Sequence, residues 1–161
     1  MMINLTSQRV RLNTADHVNE EIRRETERRI AFYVAHPEQI DGRLAELDQE
    51  WDIERLIETE APTMTLTGIA LGALLGRKWL VLPLFAQSMV LLHALQGFYP
   101  LLPLFRRMGV RTNREIATER YALKAIRGDF RQVPETAGDG RERADQAVQA
   151  GQATPAAEVP T

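Results

Sequence analysis

The sequence predicts an all-α protein, in which a two-helix transmembrane hairpin is flanked by cytoplasmic amphipathic helices. Residues 61–105 hold only two full charges, the adjacent Arg77 and Lys78. The flanking segments instead repeat apolar residues at helical spacing. Charge is also segregated: residues 1–60 contain 8 arginines and 14 acidic residues, a net charge of −6, whereas residues 106–131 contain 8 basic and 3 acidic residues, a net charge of +5. With no cysteine in the chain, disulfides, zinc–thiolate sites and cysteine nucleophiles are excluded.

Residues 1–60 are predicted to form an acidic, cytoplasmic helical hairpin region. Thr14 is a suitable N-cap for a helix that runs to about Ala35, and a second helix begins near Pro37. We expect the two helices to pack antiparallel through four apolar side chains, Ile22, Ile30, Leu44 and Leu47. The carboxylates of the second helix are spread around it, so no metal site is expected. Residues 1–30 have no apolar core of a signal peptide, which predicts insertion through the later hairpin.

Residues 61–105 are predicted to be the transmembrane hairpin. The first apolar run, residues 61–76, would be about 24 Å long as a helix. The second run, residues 79–98, has about 20 residues, enough for a hydrocarbon core roughly 30 Å thick. Pro83 suits the first turn of that helix, and Trp79, Phe98 and Tyr99 are typical interfacial anchors. The alternative is a buried hairpin in a soluble protein, but both runs are apolar all round, which favours lipid.

A stripe of small residues, Gly68, Gly72 and Gly76, recurs at every fourth position of the first run. Such spacing lets two helix backbones approach closely in a membrane. The stripe therefore predicts packing either against the chain's own second helix or against a second copy of the chain.

Three polar residues, Gln87, His93 and Gln96, interrupt the second run. Polar side chains inside a membrane usually face protein and are candidate functional groups. One interpretation is that His93 forms an interhelical hydrogen bond with Thr65 or Thr67. The other is that His93 serves as a proton relay or a haem ligand.

Residues 106–131 are predicted to form a basic amphipathic juxtamembrane helix. Thr112 and Glu115 form a capping box, and Gly128 is a suitable stop. This stretch is expected either to lie on an anionic leaflet or to dock on the acidic first half. The residues expected to contact the leaflet are Arg106, Arg107, Arg111 and Arg114. The positive-inside rule then places both termini in the cytoplasm, although Arg77 and Lys78 oppose it.

Residues 132–161 have few large apolar side chains and are predicted to be a disordered tail.

The segment Leu95-Gln96-Gly97-Phe98-Tyr99-Pro100, followed by Leu104, Met108 and Gly109, resembles the end of the YgaP-like transmembrane domain. That family is a small two-helix domain of the bacterial inner membrane, and the resemblance covers about residues 55–110. It implies a membrane module. In some members the domain follows a rhodanese sulfurtransferase domain. Here Tyr99 stands where the family usually has cysteine, so sulfur transfer is not carried over.

Together these patterns predict a small integral inner-membrane protein that acts as a membrane anchor or protein-interaction module, without catalysis or a cofactor of its own. The expected partners are the lipid bilayer and either a second copy of the chain or another membrane protein, and no nucleic acid. One alternative is a membrane accessory subunit of a redox or sulfur-transfer system, with His93 near a cofactor or proton path. Another is a soluble all-α oligomeric scaffold.

Overall fold

The computed structural model describes residues 8–131 and 140–152, and all regular structure in these ranges is helical. The predicted all-α class is therefore confirmed. Two short 3-10 turns, Pro37–Gln39 and Arg77–Leu80, precede the third and fifth helices. The α-helices in chain order are α1 (Arg9–Leu12), α2 (Asp16–Ala35), α3 (Ile40–Gln49), α4 (Ile53–Leu75), α5 (Val81–Gln96), α6 (Leu102–Arg107), α7 (Asn113–Arg127) and α8 (Gly140–Gln152).

The helices belong to two compact units that do not follow the sequence boundaries expected above. The first unit combines the described part of Met1–Arg23 with Trp51–Arg114, and the second combines Arg24–Glu50 with the described part of Glu115–Thr161. Each unit is therefore built from two stretches that are distant in the chain. Helical periodicity identifies an apolar face but does not say which other face covers it.

The first unit consists of the α4–α5 hairpin and a small core at its base, the end opposite the Arg77–Lys78 turn. Asp52 caps α4, because its Oδ1 accepts a hydrogen bond from the Arg55 amide at 2.7 Å. A backbone hydrogen bond of 3.0 Å from the Ile53 amide to the Arg111 carbonyl joins the start of α4 to the chain after α6. The core at the base comprises Val10, Ile53, Ile57, Tyr99 and Leu102.

Helices α4 and α5 differ from their predicted limits at three points. Helix α4 begins at Ile53 and continues through Pro62 rather than starting near residue 61, because the Asp52 cap lies upstream. Helix α5 begins at Val81, two residues before Pro83. It ends at Gln96, because Gly97 adopts a left-handed conformation with φ 78° and donates its amide to the His93 carbonyl at 2.8 Å.

The core of the second unit joins α3 to α7. Ile40, Leu44 and Leu47 of α3 pack in one cluster with Ile116 and Leu123 of α7. The expected partner of Leu44 and Leu47 was different, since the sequence suggested Ile22 and Ile30 of α2. Neither Ile22 nor Ile30 belongs to this cluster, and Tyr33 of α2 packs against it instead.

The predicted disordered tail contains α8, so this prediction is wrong for Gly140–Gln152. Residues 132–139 and 153–161 of the predicted tail lie outside the described residues. The α8 segment is rich in alanine, glutamine and arginine, which favour helix even where large apolar residues are scarce. The Lys124 ammonium donates a 2.7 Å hydrogen bond to the Gly151 carbonyl in the last turn of α8, a position where a cation is favourable.

Candidate functional site

The outer surface of the α4–α5 hairpin is apolar. Its large exposed side chains reach 79% exposure at Leu74, next to the turn. The others on this surface are Leu66, Ile69, Leu75, Leu80, Val81, Leu84, Phe85, Leu91, Leu95 and Phe98. A monomeric protein in water rarely exposes a continuous apolar surface of this kind. This surface therefore suits an apolar environment or a protein partner.

One helical stretch in the described part of the chain, Arg77–Gln96, is long and apolar enough to cross a membrane by length and composition. The core helix of a soluble protein can be equally long and apolar, but it is mostly buried. Here only 11% of the apolar part of this stretch is buried. Helix α4 is not apolar enough over a sufficient length to meet the same description. It carries charges in its first two turns, and its charge-free part, residues 61–75, is roughly 22 Å long at 1.5 Å per residue.

Two of the three stripe glycines lie where α4 and α5 approach closely. A Cβ atom on Gly68 would lie 2.3 Å from Pro83 Cδ, and one on Gly72 would lie 2.6 Å from Leu80 Cδ2. No atom would lie within 4 Å of a Cβ on Gly76, where φ is 118° and α4 ends. The structure thus places Gly68 against α5, Gly72 against Leu80 in the 3-10 turn that precedes α5, and Gly76 at the end of α4.

Several polar side chains in the hairpin are satisfied by the protein itself. Gln87 Nε2 donates to Thr65 Oγ1 across the two helices at 2.7 Å. Thr63 and Ser88 each donate a 2.7 Å hydrogen bond to the carbonyl four residues earlier in their own helix. Hydrogen bonds of this kind allow polar side chains to leave water.

Among the described residues, no hydrogen bond joins His93 to Thr65 or Thr67, the contact that one interpretation assigned to it. His93 Nδ1 is buried and has no hydrogen-bond partner among the described residues. The third predicted polar residue, Gln96, is exposed, and its carbonyl accepts a 3.1 Å hydrogen bond from Asn13 Nδ2.

His93 instead lies beside Tyr99, at the base of the hairpin. The two rings meet edge to face with centroids 5.9 Å apart. The Tyr99 hydroxyl donates to the Glu60 carboxylate of α4. Tyr99 is buried, so it is a core residue rather than the interfacial anchor that the sequence suggested. The Glu60 contact was not predicted, although Glu60 is the last charged residue before the apolar run and would need a polar partner there.

The short helix α1, which the sequence did not predict, covers the end of α5. The Arg9 guanidinium donates to the Ala94 carbonyl, and Arg9 backbone atoms lie close to Gly97. A Cβ atom on Gly97 would lie only 2.5 Å from Arg9 Cβ and 2.9 Å from the Arg9 carbonyl oxygen. The glycine therefore allows both the left-handed turn and the contact with α1.

Two of the four arginines expected to contact a leaflet are buried. Arg106 and Arg111 are 1% and 3% exposed, so their side chains lie inside the protein and this part of the prediction is wrong. The Arg106 guanidinium donates to the Val110 carbonyl at 3.1 Å and to Asn19 Oδ1 at 3.0 Å. These acceptors explain how its charge is accommodated in the interior. Arg107 and Arg114 are exposed.

The basic helix α7 docks on acidic and basic side chains of the first half. The sequence had left open whether this stretch docks there or lies on an anionic leaflet. Its Glu119 carboxylate is fully buried and accepts hydrogen bonds from Arg43 Nε at 2.8 Å and Arg29 Nε at 3.3 Å. Burial alone would lower the pKa of Arg43, but its hydrogen bonds to Glu119 and Glu46 outweigh this effect and raise it. The guanidinium therefore stays charged beside the buried carboxylate.

Further ion pairs join the same two regions. Arg120 lies 2.7 Å from Asp48, and Arg127 lies 2.5 Å from Asp41. Among the described residues, no three or more His, Asp or Glu side chains form a group that could hold a metal ion. The second unit is thus organised by ion pairs and a small apolar core.

Comparison of the chain with models of known protein families, with curated proteins and with solved structures finds no match. The resemblance of residues 55–110 to the YgaP-like domain stays a prediction from the sequence.

Proposed function

We propose that the chain is an integral protein of the bacterial inner membrane, anchored by the α4–α5 hairpin, with both termini in the cytoplasm. It acts as a membrane anchor or protein-interaction module and has no catalysis of its own. Membership in the YgaP-like family is part of this proposal. The observation that carries it is the ring of exposed apolar side chains around two helices whose close contact is already made within the chain.

The free energy of transfer supports insertion. Moving a leucine-sized side chain from water to an apolar medium contributes about 1.5–3 kcal/mol when it is fully exposed. The hairpin exposes 11 large apolar side chains at 45–79% each. Their combined contribution is therefore on the order of 10 kcal/mol.

The dimensions of the hairpin also support this proposal. Arg77–Gln96 has 20 residues, roughly 30 Å of helix. The charge-free part of α4 is shorter, but the exposed Arg77 and Lys78 side chains can extend from the turn to the headgroups while their stems stay among the acyl chains. Trp79 lies next to them, at the depth where tryptophan is enriched.

Extraction of membranes tests the proposal directly. The full chain is expressed in bacteria, and the membranes are washed with carbonate at high pH before detergent is added. We expect the chain to stay in the pellet until detergent releases it. Release by carbonate alone would contradict the proposal and favour a soluble all-α oligomer, in which the apolar surface is covered by other copies.

A second candidate function rests on His93, which lies next to the hydrogen-bonded Tyr99 and whose buried Nδ1 has no hydrogen-bond partner in the described part of the chain. In this alternative the chain is a membrane accessory subunit of a redox or sulfur-transfer system, and His93 lies near a cofactor or proton path. The absorbance spectrum of the protein purified from its host membrane tests it. A colourless protein, together with unchanged growth of a host carrying His93→Ala, would contradict it.

A further inference from the structure

Helix α6 buries one charged side chain and exposes large apolar ones. Its inner face carries Leu102 and the charged Arg106, each 1% exposed. Its outer face carries Leu104 and, at the adjoining C-cap position, Met108, which are 53% and 70% exposed. These two residues are four apart, and the Met108 amide bonds the Leu104 carbonyl at 3.0 Å, so their side chains lie on one face.

This apolar face continues the outer surface of the hairpin along the chain. Five residues connect α5 to α6, and the exposed Phe98 is one of them. Tyr99 and Leu102 hold the connection and α6 in the core at the base of the hairpin. The outward-facing apolar residues of α6 thus lie where the long apolar surface of α5 ends.

The same face carries one cation. Arg107 is exposed and follows Leu104 by three residues, which places it beside Leu104 on the helix. An apolar pair with an adjacent arginine is typical of segments that lie at the boundary between acyl chains and phosphates.

We propose that α6 lies in the interfacial layer of the leaflet at the base of the hairpin, with Leu104 and Met108 among the acyl chains and Arg107 paired with a lipid phosphate. This inference rests on the proposed function, since it requires the hairpin to be in lipid. The sequence predicted that four arginines contact the leaflet. In this proposal the contact is made instead by one arginine and two apolar residues.

Spin labelling tests this placement, because the chain has no native cysteine and every introduced cysteine is unique. Single cysteines at Leu104 and Met108 are labelled in the full chain, reconstituted in vesicles of phosphatidylcholine with 30% phosphatidylglycerol. Labels at Leu84 and Leu91 serve as lipid controls, and a label at the exposed Ala45 serves as the water control. Accessibility to oxygen and to a water-soluble nickel chelate then reports the depth of each label.

We expect labels at Leu84 and Leu91 to be deep in lipid, and labels at Leu104 and Met108 to be shallow but more accessible to oxygen than to nickel. If the first two labels are in lipid and the latter two match Ala45, the interfacial placement is overturned while the hairpin stands. Protection of the latter two from both reagents would also overturn it, because a protein surface would then cover α6. If Leu84 and Leu91 match Ala45, the membrane proposal itself fails.

The role of Arg107 is tested with the Met108 label in two lipid compositions. We expect this label to be deeper in vesicles containing phosphatidylglycerol than in pure phosphatidylcholine, and Arg107→Gln to abolish the difference. Arg28→Gln, at an exposed position of the second unit, is the matched control and should keep it. Equal depths in both lipids with Arg107 present would overturn the phosphate contact.

Discussion

The Tyr99 hydroxyl donates a hydrogen bond to the Glu60 carboxylate, joining a residue two positions beyond the left-handed Gly97 to the last charged residue of α4. The two residues are 39 positions apart, and their contact closes the base of the hairpin. Ile57, one turn before Glu60 on α4, packs in the same cluster as Tyr99. The hydrogen bond thus fixes the end of a hairpin whose outer surface is otherwise apolar.

Tyr99→Phe should destabilise the hairpin by about 1–3 kcal/mol, because it leaves the Glu60 carboxylate without this donor. Thermal unfolding of the purified chain in detergent measures the effect. Tyr121→Phe, at a half-exposed position of α7, is the control and should leave the unfolding temperature almost unchanged. The loss should be much smaller when Tyr99→Phe is made in a Glu60→Gln background. Equal losses in both backgrounds would show that the hydrogen bond does not stabilise the hairpin.

Gly72→Leu should force α4 and α5 apart, because even a Cβ atom at this position would lie 2.6 Å from a Leu80 methyl group. We expect a loss of about 1–3 kcal/mol or more. A disulfide formed between cysteines at Thr65 and Gln87, whose side chains are hydrogen bonded, reports the contact. Gly42→Leu is the matched control, since a Cβ at Gly42 meets no atom within 4 Å. Efficient disulfide formation in the Gly72 variant would contradict the close helix contact.

Leu84→Arg distinguishes lipid from water around the hairpin. Leu84 is 70% exposed, so a charge there should be tolerated in water but should cost about 2.5–3.5 kcal/mol near the middle of a membrane helix. We expect the variant to appear in the carbonate wash or to be degraded. Val34→Arg, at an exposed position of the second unit, should fractionate like the unchanged chain. Normal membrane retention of both variants would argue against a lipid-facing position for Leu84.

Glu119→Gln should destabilise the second unit by about 3–5 kcal/mol, because it leaves the Arg43 and Arg29 guanidiniums beside a neutral buried group. Hydrogen exchange of the α3 and α7 amides measures the loss of protection. Glu46→Gln, whose carboxylate also pairs with Arg43 but is largely exposed, should cost less than about 1 kcal/mol. Similar exchange in the two variants would show that the buried carboxylate is not the centre of the ion-pair network.

The pair of Arg127 and Asp129 should make the second unit sensitive to acid. The hydrogen bond from Arg127 lowers the pKa of Asp129 below its ordinary value of 3.8. Because the pKa is lower in the folded state, the pair stabilises the fold fully above about pH 4 and loses this effect as the pH falls through the folded-state pKa. Asp129→Asn should therefore accelerate exchange of the α7 amides at pH 7, with a difference that shrinks below pH 4. A difference that grows on acidification would have the wrong sign.

The sequence was sufficient where a local pattern determines a local outcome. The end of α7 at Arg127 followed from Gly128, and the break after Ala35 followed from Pro37. It was not sufficient for α8, because this mostly polar helix, to which Lys124 donates a hydrogen bond, has no apolar stripe to reveal it. It also missed Glu60 as the partner of Tyr99, because nothing local relates two residues in different helices.

Arg106 and Arg107 also show where local sequence stops being sufficient and the fold decides. Arg106 and Arg107 are adjacent and chemically identical in the sequence, yet one is buried and the other exposed. Their different environments arise because α6 turns one face toward the core at the base of the hairpin, where Val110 and Asn19 supply acceptors for Arg106. Only the fold of the first unit decides which of the two arginines faces outward.

The sequence by itself determined that the chain is all-α and that residues 61–105 are apolar and nearly free of charge, because composition and helical period are properties of neighbouring residues. The tertiary structure alone decided that Gly68 faces α5, that α3 packs on α7, and that His93 lies beside Tyr99. These outcomes depend on which faces of distant helices meet. Burial and hydrogen bonding over each whole unit decide which faces meet, and no short segment of sequence contains enough of these interactions to decide it.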